Sequence, residues 1–186
     1  VPAFSLERLR RGEAWAPALL LGLKTLPAGT SLGRLTRGAP GSSGLDIGGR
    51  ALPPSSSRPL LSERIALDTQ GCMSAREEGV LVQGPAGWDL LPLFLVHGDY
   101  LSESGPIRFP GIVAIEGSCR GAEIEADELL VGGDLTGGNV LLRGDLHVAG
   151  ILSGSPQGGA FLVDGMVTAR VISSANVEAL GDVLAR

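Results

Sequence analysis

The sequence predicts an all-β fold: a right-handed parallel β-helix with three short sides and about five coils, preceded by a small β-rich N-terminal segment. Three observations predict it. Two sets of apolar segments recur in step from about Leu93 onward, and glycine marks the corners between them. The composition, with 29 glycines in 186 residues and 4% aromatics, suits a narrow interior filled by Val, Ile, Leu and Ala.

The first set is Ile124-Glu-Ala-Asp127, Val140-Leu-Leu-Arg143, Phe161-Leu-Val-Asp164 and Val177-Glu-Ala-Leu180, whose first residues are 16, 21 and 16 apart. The second starts at Val113, Leu129, Leu146, Val167 and Val183, with spacings of 16, 17, 21 and 16. Both stretch where Gly154-Ser-Pro-Gln157 is inserted, so one loop has grown without disturbing the register. Alternating apolar residues put one face of each strand inward. Each repeat is too small for its own core, so the strands must stack coil on coil, and right-handed crossovers are the strong default for parallel strands.

A third inward column runs through Cys119, Leu135, Leu152 and Ile172 and supplies the third side. Gly98, Gly117, Gly133 and Gly150 mark one corner, where positive φ or close backbone approach excludes a Cβ. Pro110-Gly111, Gly144-Asp145, Asp164-Gly165 and Gly181-Asp182 mark a second. Ala169-Arg170-Val171 lacks the first corner's glycine, which predicts a local difference there. About five inward residues per coil, at about 1.5–3 kcal/mol each, offset backbone ordering only when several coils stack.

Residues 1–60 read as a partial β-rich segment with a Gly/Pro/Ser linker, 61–92 as short strands capping the solenoid, and 93–186 as the β-helix. Ser5 is a candidate N-cap for a short helix with Leu6 and Leu9 inward and Arg8, Arg10 and Arg11 outward. Leu19 to Leu26 reads as a strand, and Ala28-Gly29 as a turn before Ser31-Leu-Gly-Arg-Leu35. Thr36 to Pro59 reads as an extended connection. Ile65 to Asp68, Cys72 to Ala75 and Gly79 to Val82 read as three short strands with turns at Gln70-Gly71 and Glu78-Gly79.

A net charge of −5 with scattered basic residues argues against nucleic acid as a partner. No apolar stretch reaches the roughly 18–20 residues of a bilayer span. Cys72 and Cys119 are isolated, which supports neither a disulfide framework nor a thiolate metal site and points to a reducing compartment. Cys119 reads as a small buried hydrophobe. The opening Val1, with no methionine or leader-like segment, suggests a piece of something longer.

No catalytic, cofactor-binding or metal-binding residue is assigned. His97 and His147 are the only histidines, and His147 reads as a solvated outward residue between inward Leu146 and Val148. Asp99, Asp134, Asp145 and Asp182 read as turn residues bonding their own following backbone rather than as calcium ligands. Gly41-Ser-Ser-Gly44 and Gly132-Gly133 lack the ending of a phosphate loop. Glu123 and Glu125 flank inward Ile124 and form a solvated acidic strip. No nucleophile, base and acid assemble from sequence motifs.

Gly44-Leu-Asp-Ile-Gly-Gly-Arg-Ala-Leu-Pro-Pro54 resembles the linker of the flagellar assembly protein A (FapA) family. Leu67-Asp68, Gly71, Ala75 and Glu78-Gly79-Val80 follow in that family's order, as do Leu91 to Asp99, Ile107 to Gly117, Gly121 to Ala126 and Ser173 to Asp182. The likeness covers roughly Ser31 to Arg186. His97 before Gly98, Asp127-Glu128 in place of a Gly-Asp corner and the Gly154 insertion depart from it. The resemblance implies a β-helix and a non-enzymatic role in flagellar assembly or placement inside a bacterial cell, through protein partners or self-association of the helix ends or sides. It also implies a cytoplasmic location, with recruitment to the cell pole or the inner membrane face. Ala122 to Gly137 is similar to the β-helix of the MinC division inhibitors, an alternative of the regulatory class, and bactofilin-like polymers are another. A carbohydrate-processing β-helix is the enzyme alternative.

Overall fold

The computed structural model describes residues 23–36, 42–53, 60–84, 87–156 and 158–185. Residues 93–185 form a β-solenoid in which every ladder is parallel. Side one stacks residues 93–96, 112–115, 129–131, 146–148, 167–169 and 183–185. Side two stacks 100–101, 119–120, 135–136, 152–153 and 172–173. Side three stacks 107–109, 124–126, 140–142, 161–163 and 177–179. That makes five coils and the start of a sixth.

Each coil sends five side chains inward, as the alternation requires. Leu129 and Val131 from side one, Leu135 from side two, and Val140 and Leu142 from side three make one such layer, all at most 2% exposed. The first layer is different. Its lumen holds Phe94, Tyr100 and Phe109, with the two Phe rings 5.8 Å apart and tilted 43°, and the Tyr100 hydroxyl donates to the carbonyl of Gly105. Three aromatic rings therefore fill the first coil, while the later coils carry mainly aliphatic groups, with Phe161 as a single buried ring in the fourth.

The corner glycines owe their place mainly to close approach. Gly98 has φ +78°, but Gly117, Gly133 and Gly150 do not take positive φ. They donate N–H to the carbonyl of the preceding corner glycine at 2.9–3.0 Å. A Cβ on Gly133 would lie 2.9 Å from the carbonyl carbon of Gly117, closer than real side chains come. At the glycine-free corner, Arg170 alone faces Ala149 and Gly150, and the register shifts there. The insertion after Ser153 leaves pairing intact, with Gly138 opposite Gly159 and Val140 opposite Phe161.

The corner aspartates correct the sequence reading. Asp99 Oδ1 accepts the N–H of Ser118 at 2.7 Å, Ser118 Oγ accepts that of Asp134 at 3.2 Å, and Asp134 Oδ1 accepts that of Ile151 at 2.8 Å. At the other corner Asp145 Oδ1 accepts the N–H of Met166 at 2.8 Å. These bonds run from one coil to the next. Where the chain swings out of the ladder, an amide loses its carbonyl partner, and a short side chain from the neighbouring coil replaces it. Bonding within a single turn occurs at Asp46 and Asp68 instead.

Before the solenoid, Ser31–Arg34, Cys72–Ala75 and Ile65–Leu67 form a three-stranded antiparallel sheet, and Val80–Gly84 pairs with Gly87–Leu91. Val80 packs on Ala114 and Leu130, on the outside of side one. The free edge of Leu93–Val96 meets Thr25, whose hydroxyl donates to the carbonyl of Leu93 at 3.3 Å and accepts the N–H of Leu95 at 3.0 Å. An edge strand that is satisfied this way offers less backbone to another chain.

The helix expected from Ser5 lies outside the described residues, as does part of the strand expected from Leu19. Of its remainder only Leu26 pairs, in a bridge to Gly79. The turn at Ala28-Gly29 is present, with Gly29 at φ +82°. The expected extended connection contains a hairpin, Gly44–Leu45 with Ala51–Leu52, because Asp46 and Gly49 close a tight turn. Among the described residues no helix is long and apolar enough to cross a membrane.

Candidate interaction face

The outward positions of the three sides differ in what they present. Side two shows Leu101, Arg120, Thr136, Ser153 and Ser173, with Ser153 Oγ bonded to Thr136 Oγ1 at 3.1 Å. Side one shows Leu95, Ala114, Leu130, His147, Thr168 and Leu184. Ala114 and Leu130 are fully buried under the N-terminal strands.

Side three is a flat grid open to solvent. Its central column reads Arg108, Glu125, Leu141, Leu162 and Glu178 from first coil to fifth. Two residues further along each strand, on the same outer surface, stand Pro110, Asp127, Arg143, Asp164 and Leu180. Leu141, Leu162 and Leu180 are 48%, 38% and 84% exposed. Leu141 and Leu162 are ladder partners on neighbouring coils and make an apolar pair, and Leu180 is exposed in the bend just past Val177–Ala179. Charge surrounds the pair. Arg108 lies 3.8 Å from Glu125 and Arg143 lies 3.8 Å from Asp127, and a shallow depression opens between these pairs. Both contacts are too long and too exposed to hold the face rigid.

The pair left a signal in the sequence. In Val140-Leu-Leu and Phe161-Leu-Val the middle residue points outward, where alternation calls for a polar group. Glu123 and Glu125 are exposed, as expected of a solvated acidic strip.

The histidines divide. His97 is exposed, with Nδ1 3.4 Å from Glu116 and Nε2 3.3 Å from the carbonyl of Leu23. His147 is not the solvated residue that its outward position suggested, because its side chain is 12% exposed. Its Nδ1 lies 2.6 Å from Thr168 Oγ1, and its Nε2 lies 3.9 Å from Glu128 Oε1. The fold thus brings a hydroxyl, an imidazole and a carboxylate together across three coils, which motif reading did not find because they belong to separate repeats. Thr168 and Glu128 are each 7% exposed. The three groups form a shielded polar contact on side one.

Cys119 is buried in the lumen and Cys72 is exposed, both as free thiols. Burial pushes the Cys119 thiol up to about 12, and burial with the neighbouring Cys119 raises Tyr100. Among the described residues no cluster of His, Cys, Asp and Glu is arranged to hold a metal ion. Compared with protein-family models, curated proteins and solved structures, the chain matches none.

Proposed function

We propose that this chain is a non-enzymatic scaffold that binds other proteins through side three of its solenoid. The observation that carries the reading is the exposed pair Leu141 and Leu162 on a flat, charge-rimmed surface, with exposed Leu180 past the end of the next strand. Contiguous exposed apolar groups with a polar rim are the usual make-up of a binding patch. The order of motifs shared with the FapA family supports a role in bacterial flagellar assembly or placement, in the cytoplasm and near the cell pole or inner membrane face. The fold alone does not specify that role.

Affinity capture with the wild type and with Leu162→Asp tests the reading. The wild type is expected to retain a partner that the variant loses while both melt at the same temperature. Equal capture by both rejects side three as the binding face.

A further inference from the structure

Side three carries a surplus of negative charge around its apolar pair. Glu123, Glu125, Asp127, Asp164 and Glu178 stand against Arg108 and Arg143, in a chain whose net charge is −5. The outward column of side two holds Arg120 and no carboxylate. Both arginines of side three are already shared, Arg108 with Glu125 and Arg143 with Asp127. Among the described residues Glu123, Asp164 and Glu178 make no ion pair.

The carboxylates bracket the leucines. Along the ladder Glu125 stands beside Leu141, Leu141 beside Leu162, and Leu162 beside Glu178. At the early end Glu123 joins Glu125, Leu141 and Arg108 around one shallow depression, so two carboxylates there share one arginine. At the other end Glu178 is exposed and unshared. Three strand spacings put Glu125 and Glu178 about 14 Å apart, with both leucines between them.

We propose that side three takes an extended protein segment with basic residues at positions i and i+4 and an aliphatic residue at i+2. The proposal rests on side three being a binding face, and it names the chemistry of the occupant. In an extended chain alternate side chains share a face, and four residues span about 13–14 Å, which matches the distance between the two acidic ends. The aliphatic group covers Leu141 and Leu162, while each basic group meets unneutralised carboxylate at the rim. The same surplus repels nucleic-acid phosphates and anionic lipid headgroups.

NMR titration of the isotope-labelled chain with four synthetic peptides tests this. All have a serine background and a central leucine: one with lysines two positions to either side, one with lysines directly beside the leucine, one with glutamates two positions away, and one with serine alone. The first is expected to shift the amides of Glu125, Leu141, Leu162 and Glu178 and to bind at least about fivefold more tightly than each of the others, with the margin shrinking as salt is added. Glu123→Lys combined with Glu178→Lys, shown to be folded by circular dichroism, should reverse the preference in favour of the glutamate peptide. The proposal is overturned if the two lysine peptides bind alike, if the shifts map to side two, or if the double substitution leaves the preference unchanged. Shifts on side three of equal size with all four peptides, or no binding of any peptide alongside partner capture that Leu162→Asp abolishes, refute the basic occupant and leave the scaffold reading standing.

Discussion

Sides one and three are built on the same inward pattern and have opposite outer surfaces. On side one, Ala114 and Leu130 face outward and are fully buried against the strands that precede the solenoid, and Thr168 and Glu128 on the same side are each 7% exposed. On side three, the equivalent outward positions hold Leu141 and Leu162 in the open. The inward residues of both sides make the coil, while the outward residues decide whether a side is covered by the rest of the fold or stays open to solvent. Stability and binding should therefore respond to substitution on different faces of one strand.

The largest effect is expected inside. Leu146→Ala removes a fully buried side chain from a layer that cannot collapse around the loss, and should cost about 2–5 kcal/mol in chemical denaturation. Gly133→Ala should follow, at about 1–3 kcal/mol, because the new methyl meets the backbone of Gly117 and Ser118 and a coil must shift. Both leave side three's outer groups in place. A loss of binding in either variant at temperatures where it remains folded would break the separation of inside from outside.

Much of this architecture was legible because it is periodic. The inward columns, the corner glycines and the loop after Ser153 follow from spacing alone, as each residue's role repeats 16 to 21 positions on. The coil-to-coil bonds of Asp99 and Asp134 were misread as turns, since a side chain's partner one coil away leaves no mark beside it. The shielding of His147 was hidden for a related reason: alternation tells inward from outward, and only the folded chain shows that an outward side is covered. The hairpin at 44–52 escaped because two-residue strands have no period to detect.

The lumen also gives a pH signature. Burial raises the Cys119 thiol from an ordinary value of 9.0 to about 12, so the native state holds its proton where the unfolded chain releases it. Stability from this group is intact below pH 9 and falls as pH rises from 9 towards 12. Melting temperature should drop over that window, and Cys119→Ala should flatten the drop. In native protein a thiol reagent should modify Cys72 alone, with Cys119 reacting only after unfolding.

Smaller effects come from the edge and the surface. Thr25→Val keeps the shape but leaves the N–H of Leu95 without its hydroxyl partner, an expected loss of about 1 kcal/mol. Leu162→Ala should shift stability by no more than about 0.5 kcal/mol. A large loss there would mean that side three supports the fold as side one does.

The central claim, that side three is the surface that meets protein partners, is tested most directly by photo-crosslinking in cells. A crosslinking amino acid is placed in turn at Thr136 on side two, Leu162 on side three and Leu184 on the last coil. Adducts to protein are predicted at Leu162, lost when Leu141→Asp is added, with few at Thr136. Adducts confined to Leu184 or Thr136, or adducts at Leu162 that Leu141→Asp leaves unchanged, would contradict it.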